Sequence, residues 1–231
     1  MLFDLRSRRR RSLVRVVYAF LALIMLGGLV LVGVGTGNNN GGLLNAFTNN
    51  SSNSGQSSAI TQEIKSAEKA IKKDPSSPAN WGQLVLAHWS AASSTGNYDS
   101  STGEYSKTGK AQLTDAATAW TKYLSLTKDK PSAETSLLAA GVYQGLAKWN
   151  EASQTWQYVI EAQGAGTTNA LKGYICTALT SYAAGQKPKG ALAATEALKL
   201  ASKSERLELK TDFSSAKSSA STAATYAAAE C

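Results

Sequence analysis

The chain has 231 residues and a formal net charge of +8, with 43% hydrophobic and 17% charged side chains. Four prolines, two cysteines and one histidine exclude a collagen, a disulfide-stapled miniature domain and a His-rich metal site. The charge invites a nucleic-acid reading, but its distribution argues otherwise. Arg6, Arg8, Arg9, Arg10, Arg11 and Arg15 against Asp4 place +5 in the first fifteen residues and leave +3 for the other 216.

Residues 1–15 are followed by VVYAFLALIMLGGLVLVGV, Val16 to Val34, without a charge. As a helix these residues span about 29 Å, the thickness of a hydrocarbon core. A helix satisfies its own backbone there, and Tyr18 sits near the basic end, where an amphipathic ring favours the interface. Arginines before the span predict a cytoplasmic N-terminus, a transmembrane helix over 16–35 in the cell membrane, and an extracytoplasmic remainder. A cleaved signal peptide competes with this reading, although its apolar region is usually shorter and no Ala-x-Ala follows here.

The next segment, 36–58, is rich in Gly, Asn and Ser and reads as a flexible linker with a reach of roughly 25 Å. From Ala59 the pattern turns helical: Ile60, Ile64, Ala67 and Ile71 fall on one face. Asp74-Pro75 ends that helix, and Ser77-Pro78 starts another. Further breaks come at Asp129-Lys130-Pro131, Gly164-Ala165-Gly166 and Gly185-Gln186-Lys187-Pro188. No sustained alternation of Val, Ile and Thr appears, so residues 59–231 are expected to be all-α.

A period runs through these helices. Tyr143 and Ala152 are nine residues apart, as are Tyr182 and Ala191, and the copies are offset by 39. Trp120 and Trp156 are 36 apart, each four residues after an alanine, Ala116 or Ala152. The best copy is LLAAGVYQGLAKWNEASQTWQYVI, Leu137–Ile160. The third contains Tyr182, Gly185, Ala191 and Leu198, with Thr195 where a large aromatic is usual. The first opens with Trp81 and Leu84, places His88 at the helix-A aromatic position and resumes only at Ala116, which implies an insertion at about 90–109. This unit resembles the tetratricopeptide repeat, over roughly Ile60 to Ser202. One membrane span followed by repeats is also the layout of membrane-anchored bacterial proteins of that type, including ancillary translocon-associated ones.

The resemblance implies a right-handed solenoid of antiparallel helix pairs, closed by a C-terminal capping helix over about 203–228. Trp81, Ala116, Trp120, Tyr143, Trp149, Ala152, Trp156, Tyr182 and Ala191 would then form the repeat core. Small residues let paired helices approach, and large ones from the neighbour fill the space above. By register, Leu86, Trp89, Glu134, Leu137, Gln144, Cys176 and Thr180 would line a concave groove for a protein or peptide. The Lys/Arg/Asn carboxylate clamp of some members is absent from these positions, so apolar or mixed segments are the expected partners. Burial of Leu86 and Trp89 beneath the insertion is the competing arrangement.

The insertion, with Tyr98 and Tyr105 flanking Asp99 to Glu104, reads as a turn or small hairpin; its glycine, Gly103, falls one place late for a calcium loop. There is no phosphate loop, paired-His zinc motif, Cys-x-x-Cys or nucleophile elbow, so neither an enzyme nor a cofactor or metal site is expected. His88 is expected to be packed. Cys176 reads as a buried small hydrophobe, with Cys231 on a frayed end and a disulfide between them the less favoured option. After residue 15 the chain has one arginine, Arg206, and no basic stripe that would serve nucleic acid. These features lead to a membrane-anchored extracytoplasmic scaffold for protein–protein interaction, with a role in secretion or envelope assembly. The rival class is a secreted or envelope-attached structural protein that self-assembles after signal-peptide cleavage.

Overall fold

Ile60, Ile64, Ala67 and Ile71 share the inner face of the first helix, α1 (Asn53–Lys73), where Ile60 and Ala67 are buried and the other two half-buried. The computed structural model describes residues 53–231. The expected basic segment at 1–15 and span at 16–35 lie outside them. Among the described residues, no helix is long and apolar enough to cross a membrane. Helix α1 begins at Asn53, ahead of the expected Ala59, within the segment read as linker. Once a helix is nucleated by a packed face, extending it by a polar turn costs little.

The helix stops at Asp74, whose carboxylate accepts hydrogen bonds from the Ser76 amide (3.1 Å) and hydroxyl (2.7 Å). Helix α2 (Pro78–Ala92) starts with Pro78 in its first turn, where a missing N–H is harmless. Ser77 is at the N-cap, but its hydroxyl makes no capping bond. The insertion follows as a hairpin of two-residue strands, β1 (Tyr98–Asp99) and β2 (Glu104–Tyr105), with Tyr98 opposite Tyr105. Its ring centroids are 4.7 Å apart.

Helix α3 (Lys107–Leu126) is capped by Ser106, which accepts from the Gly109 amide at 3.1 Å. Lys128 and Asp129 take left-handed φ values of 52° and 58° to turn the chain toward Pro131. Then come α4 (Ala133–Gly145), α5 (Trp149–Gln163), a 3-10 turn (Thr168–Ala170), α6 (Leu171–Ala183) and α7 (Lys187–Leu200). Gly164 and Gly185, at φ 87° and 75°, close α5 and α6, and both fall in breaks legible in the sequence.

The described region is all-helical apart from the hairpin. Its helices pack as successive pairs: α2 on α3, α4 on α5, α6 on α7, with α3 against α4 and α5 against α6. The first members of the first two pairs, α2 and α4, also touch. Residues 203–228 are not the single capping helix expected. The segment breaks into α8 (Glu205–Ser218) and α9 (Ala220–Glu230), joined by Ser219 alone. Helix α8 lies against α6 and α7, whereas α9 turns back onto α6. No Gly or Pro marks that break, so local sequence could not show it.

Candidate functional site

Close approach of helices sets the geometry of the first-member face. A Cβ on Gly141 of α4 would lie 2.9 Å from the Trp89 ring of α2, and one on Gly190 of α7 would lie 2.5 Å from the Tyr182 ring of α6. Glycine at these seams lets an aromatic ring approach a neighbouring backbone closely. In the third pair Gly190 thus fills the place under Tyr182, while Ala191 is half-buried beside it.

Five of the core candidates, Ala116, Trp120, Ala152, Trp156 and Tyr182, are at most 4% exposed. Trp81, Tyr143 and Trp149 are half-buried against the same clusters. The Trp81 indole donates to the Pro75 carbonyl at 2.9 Å, tying α2 to the preceding turn. Burial raises the Tyr143 and Tyr182 phenols above the ordinary tyrosine range, as expected when a charged form loses water. His88 is buried, with Nδ1 2.7 Å from Gln112 Oε1 of α3. This pairing fastens the first helix pair.

The groove candidates divide into two groups. Toward α2, Leu86 and Trp89 are half-buried, Glu134 is exposed and Leu137 is 38% exposed. Trp89 packs on Gly141, and Tyr105 of the insertion packs near Gly145 and Leu113. Toward α6, the face is occupied by the chain itself. Gln144 donates through Nε2 to the Ala227 carbonyl of α9 at 3.1 Å. Thr180 is fully buried, with its hydroxyl turned back to the Cys176 carbonyl.

Cys176 is not a lone buried thiol, and Cys231 is not a frayed end. They form a disulfide with Cα atoms 5.7 Å apart, across 55 residues of sequence. Cys231 packs against Ala140, Trp156, Val159 and Cys176. Helix α9 therefore spans from α6 to α4, and Ala223 and Ala227 on its inner side are completely buried. Beside it, α6, α8 and α9 leave a cavity of about 190 Å³. Ile175, Leu179, Leu209, Phe213 and Tyr226 supply its apolar lining, and Glu205, Glu208, Asp212 and Glu230 its polar lining.

No protein-family model matches the chain, and no curated protein matches it in sequence. The open part of the face carries two apolar side chains, Leu86 and Leu137, and a carboxylate at Glu134, while the Gln144 amide is engaged by Ala227. Sequence reasoning missed Ala223, Ala227 and Tyr226 as partners of this face. The available signal was the second cysteine, Cys231, because two cysteines in one chain are candidates for pairing.

Proposed function

We propose that the protein is a membrane-anchored, extracytoplasmic scaffold of tetratricopeptide type, which holds protein or peptide partners on the faces of its first-member helices. The observation that carries this reading is the succession of three helix pairs, α2–α3, α4–α5 and α6–α7, with small-residue seams under aromatic rings. Such units bury their faces only by stacking, and stacked units leave an extended surface suited to partners. The +5 segment before Val16–Val34 supports an N-in anchor. The Cys176–Cys231 disulfide supports an oxidising, extracytoplasmic setting for the helical region. Leu86 and Leu137 are the contact positions on the open part of the face, and apolar or mixed segments fit them better than acidic tails.

The test is photo-crosslinking in membranes from Leu86 and Leu137, each replaced by a photoreactive residue. Adducts with secretion-machinery subunits or with chains undergoing export are expected. Adducts formed only between copies of this chain would overturn the reading in favour of a self-assembling envelope protein.

A further inference from the structure

Helix α9 is held by few non-covalent contacts and one covalent bond. Its inward contacts are small, the alanines Ala223 and Ala227, plus a half-buried Tyr226 and one hydrogen bond from Gln144. Eleven residues of isolated helix are marginal in water, so α9 depends on its docking. Tyr226 and Glu230 line a cavity with Glu205, Glu208 and Asp212, and no Lys or Arg lines it. Carboxylates of one sign thus gather where α9 closes on α8. The cross-link of α9 to α6 is at Cys231, just beyond the helix.

The joint is equally specific. Ser219 has φ −144° and ψ 128° between two helices, and it caps α9 by accepting from the Thr222 amide at 3.4 Å. Neither Gly nor Pro enforces this break, and Ala220 to Ala229 are good or tolerable helix formers. With α9 undocked, Ser219 can return to helical angles and join α8 and α9 into one helix leading away from the face.

We propose that α9 is a tethered occupant of the α4–α6 face, locked by the Cys176–Cys231 disulfide and released at Ser219 when a dithiol reduces it. This inference rests on the scaffold reading for its purpose, since release would extend the open face from Leu86 and Leu137 to Gln144, whose amide α9 now engages. Cys176 is fully buried and Cys231 half-buried, so the reductant thiolate attacks the Cys231 sulfur. The S–S bond breaks, and its electron pair leaves on the Cys176 sulfur, which takes a proton. The second thiol of the reductant then attacks the mixed disulfide, Cys231 departs as a thiol, and the reductant is left as its own disulfide. Two electrons and two protons pass to the protein.

Hydrogen exchange on the full-length chain in detergent tests this, comparing the oxidised protein, the protein in excess dithiothreitol, and Cys231→Ser. At least a tenfold loss of protection over 220–230, with α2 to α7 unchanged, is expected in the last two. A labelled peptide of residues 219–231 carrying Cys231→Ser should bind these forms at least tenfold more tightly than the oxidised one. Unchanged protection of α9 after reduction would overturn the proposal, as would loss of protection throughout the domain, which marks a general staple. Exchange needs no partner, so failure of the crosslinking at Leu86 and Leu137 would sink the scaffold reading separately.

Discussion

Ser153 and Ser181 face each other across the seam between α5 and α6, with hydroxyl oxygens 2.7 Å apart and both residues completely buried. They are 28 residues apart in sequence and join the second helix pair to the third. A buried hydroxyl without a partner costs about 1–3 kcal/mol, whereas removing both partners is close to neutral. Ser153→Ala and Ser181→Ala are each expected to destabilise by about 1 kcal/mol or more. The double variant should cost clearly less than the sum, as read by urea unfolding. Additive losses would show that each hydroxyl acts alone.

Trp156 is 1% exposed in the cluster that also holds Cys176, whereas Trp81 is half-buried in the first turn of α2. Trp156→Ala should therefore cost on the order of 3–5 kcal/mol, and Trp81→Ala substantially less. Thermal unfolding of the two variants gives the order directly. Leu192, at 71% exposure, is the control and should shift stability by no more than about 0.5 kcal/mol when changed to Ala.

Ala147 has φ 53° in the turn between α4 and α5, a conformation costing a non-glycine residue roughly 1–2 kcal/mol. Glycine removes that strain but adds freedom to the unfolded chain, worth about 0.4–1 kcal/mol in the opposite direction. Ala147→Gly is expected to stabilise by up to about 1 kcal/mol in urea unfolding. A loss of stability would mean that the turn is held without strain.

Closing a loop of 55 residues stabilises a fold by roughly 4 kcal/mol if the whole loop is ordered in the native state. If α9 undocks on reduction, the reduced native state recovers part of that chain freedom. Reduction should then lower global stability by less than about 4 kcal/mol, while far-UV helix content is nearly kept through fusion of α8 with α9. Comparative urea titrations with and without dithiothreitol measure both.

Asp99 accepts from the Ser101 hydroxyl at 2.6 Å and amide at 2.8 Å, which together hold its carboxyl below the ordinary range. A depressed folded value stabilises the hairpin above the unfolded pKa of about 3.9, and that contribution is lost as pH falls through the folded value. NMR titration should find Asp99 ionising below an ordinary aspartate. Ser101→Ala should move it back up, with no effect on the Tyr182 environment.

Much of the helical framework was legible because it depends on local signals. The 4, 3, 4 spacing of Ile60, Ile64, Ala67 and Ile71 needs only a helix with one wet face. Gly164 and Gly185 fall at breaks because they take up positive φ. Trp120 and Trp156 were recognisable as buried because a large apolar ring four residues after an alanine fits a paired helix. The surroundings of the groove candidates were less accessible. Trp89 rests on Gly141, and Gln144 reaches Ala227, 83 residues later. No local rule pairs residues so far apart.

The sequence by itself determined the helical class, the boundaries between helix pairs and the confinement of most of the net charge to the first fifteen residues. Periodicity, turn chemistry and charge are properties of short segments, so they can be read without a fold. Only the tertiary structure decided that residues 203–228 divide at Ser219, that Cys176 finds Cys231, and that α9 covers the α6 side of the face. A serine between two helix-forming segments is locally compatible with one helix or two. The packing of Ala223 and Ala227 on α6, together with the covalent bond at Cys231, selects two.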